Sequence, residues 1–432
     1  MKKIMPLIYL NFATAVALAS EGTLPAKLKS YVANFNLADT ETVTNAISNA
    51  AASDFLLSNV PLFECSDKDI ERTYYFRWWT FRKHLRHGTG HWTVSEFLPE
   101  VGWAGPDNSI VCAAGHHFRE ARWLRDRSIV GDLARFWLSN PATETNRWQY
   151  SSWLFTSVRD AVKVSGDEAL LRSLLSDAVR YYEQWEKGKD YRLYGRNWKT
   201  VVPFRMGLRE CGMFASVDNH EGTEITLSGS GFRPLFNCAM WSEANVIASV
   251  AAETGDAALA ARFKAKADAL AEEIKRNLWD GAFFVTMTTN KVRTAAHELH
   301  GYAPWYFGMP LAREYDIAFR ELAATDGFRA KWGLAFAAQR TPGFGGEHKR
   351  GAVQNLRPDK RQAYRCDPCR PSGQQVRHIR DKLYCVHDIQ YACLRCSHLD
   401  WRHQRCEVCD DAPCPSQDSR CRADVYDGIS VR

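Results

Sequence analysis

Between Asn237 and Trp279 the sequence spells out two helices with three residues between them, and no other feature restricts the fold as much. The first is expected over residues 239–253, stopping at Gly255. The second is expected over Ala257–Leu278, with Ala261, Phe263, Ala267, Leu270 and Ile274 as its apolar stripe. A link as short as Thr254-Gly255-Asp256 forces the second helix back antiparallel on the first. Trp279-Asp280-Gly281 closes the pair, and Phe283-Phe284-Val285 reads as a short strand.

The same style recurs upstream. Residues 67–86 place Ile70, Tyr74, Trp78, Phe81 and Leu85 at helical spacing, and residues 117–136 continue it through Ala121, Leu124, Ile129 and Leu133. Residues 168–185 follow the cap Ser165-Gly166-Asp167 and carry Leu170, Leu171, Leu174, Leu175, Val179 and Tyr182. A further helix is expected over residues 317–324. Paired helices joined by long, aromatic-rich loops predict an all-α fold, a helical toroid or an α-solenoid.

Composition sets the remaining bounds. A chain of 432 residues suffices for one large helical barrel or two to three ordinary domains. It carries 15 Trp and 16 Tyr, whose flat faces and polar edges suit sugar rings as well as a core. The net charge of +6 invites a nucleic-acid reading. From His348 onward there are 16 basic and 11 acidic residues, against 40 and 39 before it, so the main body is neutral. A folded nucleic-acid binder carries its basic face on the main domain, and nucleic acid is therefore excluded as a partner.

Residues 1–19 read as a signal peptide. Lys2 and Lys3 precede an apolar run to Ala19, and Ala17-Leu18-Ala19 offers a small-residue cleavage site before Ser20. The expected location is secreted or periplasmic. No other segment is long and apolar enough to span a membrane after signal removal.

The style ends near Phe344-Gly345-Gly346-Glu347. Four cysteines, Cys65, Cys112, Cys211 and Cys238, are scattered before that point, and nine crowd between Cys366 and Cys421. Cys366-x-x-Cys369, Cys393-x-x-Cys396 and Cys406-x-x-Cys409 have the spacing of zinc-ribbon halves, with His387, His398 and His403 nearby. The glycines and apolar strands of such a module are missing. A disulfide module would leave one of nine cysteines over. The preferred reading of residues 346–432 is an irregular, disordered or frame-shifted tail, because translation out of frame yields such Arg-, Cys- and His-rich sequence without periodicity. Shifting the frame near codon 346 is then expected to restore a Trp-Asn-Gly-Pro-like segment and further helices.

Five phrases carry a family resemblance. They are Tyr74-Tyr75-Phe76-Arg77-Trp78-Trp79, then Thr93-Val94-Ser95-Glu96-Phe97-Leu98-Pro99 with Val101-Gly102-Trp103-Ala104-Gly105, then Cys112-Ala113-Ala114-Gly115-His116-His117 with Glu120-Ala121-Arg122-Trp123. Next is Ser216-Val217-Asp218-Asn219-His220-Glu221-Gly222-Thr223-Glu224, running into Ser228-Gly229-Ser230-Gly231-Phe232-Arg233-Pro234, and last Glu298-Leu299-His300-Gly301-Tyr302-Ala303-Pro304-Trp305-Tyr306. In this order, over residues 60–345, the chain resembles the six-hairpin (α/α)6-barrel glycosidases, in the mannosylglycerate-hydrolase-like branch related to glycoside hydrolase family 63 and to trehalase. The resemblance implies a barrel domain over residues 20–345 with a glycoside or oligosaccharide substrate at one mouth and inversion at the anomeric carbon. Six hairpins need twelve helices. Fewer can be counted before residue 345, so the toroid is expected to be incomplete.

Such hydrolysis needs one carboxylic acid to protonate the leaving oxygen and one carboxylate to activate water, about 6.5–9.5 Å apart when the reaction inverts. In the family the acid is an aspartate in a Trp-Asp-Asn-Ser-Pro-Arg-like loop. Val217-Asp218-Asn219 is its counterpart, which makes Asp218 the first choice, with Glu221 and Glu224 as alternatives. Burial beside Trp241 or Trp305 is the expected means of raising the acid's pKa. The family's base follows a Trp-Asn-Gly-Pro-like stretch near the C-terminus, and neither Glu347 nor Glu407 matches it. Trp103 and Trp305 are candidate stacking faces. Arg77, Glu96, Asn108, His117, Arg233 and Asn237 are candidates for sugar hydroxyls, whereas Trp78, Trp79 and Trp123 read as core anchors. His116, His117 and Glu120 do not have metal-site spacing, and no metal or cofactor is expected. The alternative to an enzyme is a non-catalytic carbohydrate-binding or helical scaffold protein with a zinc-binding tail.

Overall fold

The computed structural model describes residues 23–88, 90–194, 201–217, 226–330 and 333–344. The leader, the tail with Glu347 and Glu407, and the candidate acids Asp218, Glu221 and Glu224 lie outside the described residues.

The chain is mostly helical. Its helices are α1 (Leu24–Leu37), α2 (Ala52–Asn59), α3 (Lys68–His84), α4 (Ala114–Ala121), α5 (Ser128–Leu138), α6 (Leu154–Ser165), α7 (Glu168–Lys187), α8 (Pro234–Glu253), α9 (Ala257–Leu278), α10 (Ala303–Tyr306) and α11 (Arg320–Ala323). Aspartates start three of them. Asp67 accepts the Asp69 and Ile70 N–H groups at α3, Asp167 that of Leu170 at α7, and Asp256 that of Leu259 at α9, each partnering N–H groups a first turn leaves over. Gly166 and Gly255 end α6 and α8 with φ of 76° and 84°, a conformation that costs glycine nothing.

The helices form two layers. In one, α4 packs on α6, α6 on α8, and α8 on α10; in the other, α5 packs on α7. Three of the inner helices fold back on outer partners, α4 on α5, α6 on α7 and α8 on α9. The stripe predicted on α9 faces α8, with Phe263, Ala267, Leu270 and Ile274 buried; Ala261, at its edge, is exposed. Because partners run antiparallel, the short corners (residues 122–127, 166–167 and 254–256) gather at one end. The long connections (residues 85–113, 139–153, 188–233 and 279–302) gather at the other, where α4, α6, α8 and α10 begin. This is the hairpin architecture of an (α/α) barrel, and of the described candidates Glu96, Trp103 and Asn108 lie in its long loops, with Arg233 and Asn237 at the start of α8.

Short strands brace those loops. Strands β1 (Leu85–His87) and β2 (Trp92–Val94) form a hairpin. Strands β3 (Lys189–Tyr194), β4 (Val201–Leu208), β5 (Phe214–Ser216) and β6 (Gly231–Phe232) form an antiparallel sheet in that order between α7 and α8. Strands β7 (Arg329–Ala330) and β8 (Gly333–Leu334) pair near the end of the described chain.

Three local expectations are corrected. Residues 117–136 are two helices, because Asn59 at the end of α2 captures the middle. Its carbonyl accepts the Arg125 N–H at 2.9 Å and its Oδ1 accepts that of Asp126 at 3.1 Å. Asp126 then caps Ser128 and starts α5. Phe283–Val285 makes only an isolated bridge, Trp279 to Phe284, since Phe283, Phe284 and Val285 point into the core instead of pairing in a ladder. Residues 317–324 begin as the end of a 3-10 helix, Arg313–Phe319, and become α-helical only over α11.

Candidate active site at the long-loop end

Four connections bring their side chains to the starts of the inner helices. At the start of α6, Trp153 is buried among its neighbours, with the His116 ring at 5.4 Å, Tyr306 at 5.9 Å and Phe307 at 5.5 Å. The Arg119 guanidinium lies 4.0 Å over the Tyr306 ring, so α10 returns to α4 and the inner helices share one interior. Gly115 is required here: a Cβ on it would sit 2.3 Å from Trp153 Nε1.

The candidate acids lie between two anchored ends. On one side, β5 pairs with β6, Ala215 opposite Phe232 and Ser216 opposite Gly231, and Val217 is fully buried. On the other, residues 226–229 are held by Glu298 and Arg233. Glu298 Oε1 accepts the Leu227 N–H at 2.7 Å, and Oε2 accepts the Ser228 hydroxyl, the Thr226 hydroxyl at 3.4 Å and His300 Nε2–H at 3.0 Å. Arg233, fully buried at the cap of α8, donates from Nη1 to Gly229 O at 2.6 Å, Ser228 Oγ at 3.0 Å and Thr226 Oγ1 at 3.2 Å. Burial opposes the charge of Glu298. The hydrogen bond and charge of His300, the charge of Arg233 and the Ser228 hydroxyl outweigh it, holding the carboxyl well below its usual range.

Glu298 is therefore not suited to serve as the unassigned base. A carboxylate that holds its charge so strongly is a poor proton acceptor, and both oxygens are occupied. Glu243 is the opposite case. Fully buried in α8, it accepts the Phe155 and Thr156 N–H groups at 3.1 and 2.8 Å at the start of α6, and burial pushes its pKa up to about 7 despite them. Its position makes it a tie between inner helices through the positive end of α6.

The candidate sugar ligands fall into groups. Arg77 is half-buried on α3 and ion-paired with Glu120 of α4. Glu96 is half-buried beyond β2, near enough to Cys112 that burial and then the Glu96 charge push that thiol's pKa up. His117 is buried in α4. Trp103 is 59% exposed, with Phe97 against it at 4.9 Å.

Three residues hold the protein itself. Asn108 takes the Val101 N–H on Oδ1 at 2.9 Å and donates from Nδ2 to Pro99 O at 3.2 Å, shaping the loop that displays Trp103. Asn237 and Arg233 do the same for β5 and for residues 226–229. Trp305 is corrected from a stacking face to a core residue: it is 9% exposed, with Phe319 at 5.1 Å and Phe284 at 5.7 Å. Trp78 and Trp79 are core as expected, but Trp123, at 43% exposure past the end of α4, is not. Glu298, His300, Thr226, Ser228 and Glu243 were not singled out as ligands or anchors. Their signals were a Glu-x-His before Gly301-Tyr302, hydroxyls in a glycine-rich run, and a lone Glu on an apolar helix face. Among the described residues no His, Cys, Asp and Glu group is arranged to hold a metal ion.

One solved structure, a protein named "Sialidase", is similar over 74% of this chain at 30% identity and a TM-score of 0.67. The chain spans only 29% of that protein's length. Neutral trehalase Nth1 from Saccharomyces cerevisiae matches over 60% of each chain at 13% identity and a TM-score of 0.38. The family model for the mannosylglycerate hydrolase MGH1-like glycoside hydrolase domain matches residues 106–350, from the loop before α4 to where the helical style of the sequence ends. The chain belongs to the MGH1-like glycoside hydrolase family.

Proposed function

We propose that the chain hydrolyses α-linked glycosides with inversion at the long-loop end of its helical barrel, with Asp218 as general acid. The observation that supports this reading is the anchoring of the described residues that flank Asp218 in sequence, 215–216 by the β5–β6 pairing and 226–229 by Glu298 with Arg233. A general acid must be held within hydrogen-bond reach of the leaving oxygen, and fixed flanking residues are consistent with that need. The exposure of Trp103, on the loop that Asn108 shapes, supports its role as a stacking face for the sugar. Glu221 and Glu224 are the alternative acids.

A second reading, sugar binding without turnover, draws on one observation: neither Glu298 nor Glu243 is suited to activate water, and both are committed to the protein's own N–H groups. Reading residues 1–19 as a leader, we further propose that the chain is exported, with Ser20 at the N-terminus of the mature protein.

The test is purified full chain against aryl α-mannosides, α-glucosides, α-rhamnosides and, given the name of the similar sialidase, an α-sialoside. Hydrolysis that first releases the inverted anomer by NMR supports the enzyme. Saturable sugar binding with no turnover supports the second reading, and absence of both contradicts each.

A further inference from the structure

We propose that Asp107 and Asn108 form a positioning corner that holds residues 97–106 as a rigid platform for Trp103, so that affinity for a pyranoside ring is set by two residues that do not touch it. The inference rests on the reading of Trp103 as a stacking face.

The corner is set apart by its backbone. Asp107 and Asn108 are consecutive and both left-handed, with φ of 52° and 55°. Outside glycine, Asn and Asp tolerate that region best, yet two in succession persist only where the surroundings over-determine them. Each is latched. The Asp107 carboxylate accepts from His91 Nε2 at 2.8 Å, and the His91 ring lies stacked 5.5 Å from Phe136 of α5. Gly88 leaves the room this needs, because a Cβ there would lie 2.9 Å from Asp107 Oδ2. Asn108 is buried and closes the loop from inside. Its carbonyl accepts from the buried Ser95 hydroxyl, its Oδ1 accepts the Val101 N–H at 2.9 Å, and its Nδ2 donates to Pro99 O at 3.2 Å.

Further ties leave the loop little freedom. Arg86 Nη2 donates to Leu98 O at 3.2 Å, the Gly105 N–H to Ser109 O at 2.9 Å and the Ser109 hydroxyl to Pro106 O at 2.7 Å. A Cβ on Gly105 would lie 2.6 Å from Asn146 Nδ2, so the loop is also pressed against the next long connection. On this lattice stands Trp103, 59% exposed, with Phe97 set nearly perpendicular to it at 4.9 Å. Holding a tryptophan in water this tightly gains nothing for the core. For a ligand it removes an ordering cost, because a ring already fixed in place loses little further freedom when a sugar stacks on it. Asp107 and Asn108 therefore act on the sugar only through Trp103.

The test measures affinity by calorimetry for methyl α-mannoside, methyl α-glucoside and methyl α-rhamnoside, using full-length wild type, Asn108→Gly, Trp103→Ala and the double variant. Glycine keeps the left-handed backbone without strain and removes only the amide. On the glycoside that the wild type binds, Asn108→Gly is expected to weaken binding about tenfold. Amide hydrogen exchange of residues 97–109 should rise roughly tenfold with it, that of α8–α9 staying unchanged. In the Trp103→Ala background the same change should weaken binding by less than about twofold, since nothing is left to position. Should Asn108→Gly not fold, His91→Phe keeps a ring against Phe136, removes the latch on Asp107 and is expected to show the same pattern. Three results overturn the positioning role alone: unchanged exchange over residues 97–109, wild-type affinity in Asn108→Gly beside a weakened Trp103→Ala, or an equal loss in both backgrounds. A wild type that binds none of the three glycosides, or a Trp103→Ala that binds as well as wild type, overturns the stacking reading and the positioning role with it.

Discussion

Asn237 treats Phe214 as a neighbouring strand would. The Phe214 N–H donates to Asn237 Oδ1 at 2.8 Å, and Asn237 Nδ2 donates back to Phe214 O at 2.9 Å and to Arg233 O at 2.9 Å. A helix side chain thereby completes the edge of β5, one end of the stretch that bears Asp218. Both groups are fully buried, so loss of the amide leaves main-chain polar atoms without partners. Asn237→Ala should cost about 2–4 kcal/mol of stability by urea unfolding, at the high end for a hydrogen-bonding residue. A loss within about 0.5 kcal/mol would mean that β5 holds itself.

Glu243 should make the protein respond to pH in an unusual direction. Its folded pKa, about 7, lies above the ordinary glutamate value of 4.5. The protonated form is thus favoured in the folded chain: its stability contribution is whole below about 4.5 and is lost as pH rises through about 7. The amount is about 3 kcal/mol. Glu298, Asp280 and Glu321 run the other way, their pKa values lowered, with contributions present above the ordinary carboxylate range and lost on acidification. Thermal melting of the wild type should therefore fall between about pH 5 and about pH 8, and Glu243→Gln should flatten that fall while leaving the acid limb in place. An unchanged slope in Glu243→Gln assigns the effect elsewhere.

The two tryptophans proposed for stacking should now separate cleanly. Trp305→Ala opens the aromatic cluster with Phe284, Phe319 and Tyr302 and should cost about 3–5 kcal/mol. Trp103→Ala removes a ring that is mostly in solvent and should change stability by no more than about 0.5 kcal/mol, while weakening sugar binding by calorimetry. Reversed effects would return Trp305 to the site and dismiss Trp103.

These residues also mark what could be read before the fold was known. The α8–α9 hairpin was legible because its information is local: a three-residue link, an Asp cap and a regular stripe. The break between α4 and α5 was partly legible, since Leu124 to Ile129 is a step of five where a helix wants three or four, but its cause, capture by Asn59, is tertiary. Arg233, Asn237 and Asn108 were expected to meet sugar hydroxyls, and in the structure they bond the protein's own loops. Their polarity could not tell whether they hold a ligand or the main chain, because both tasks use the same donors and acceptors. Trp305 failed for a related reason: a tryptophan after Pro304 reads equally as a platform or a core residue until its neighbours are known.

The acid role of Asp218 is tested most directly by comparing Asp218→Asn with wild type on two glycosides of the same sugar, one with a poor alkoxide leaving group and one with a dinitrophenolate. A general acid matters only where the departing oxygen needs a proton. The variant should lose about 10²–10⁴-fold on the alkoxide and far less on the dinitrophenolate. Equal losses on both, or none on either, would contradict the assignment of Asp218 and move the role to Glu221 or Glu224.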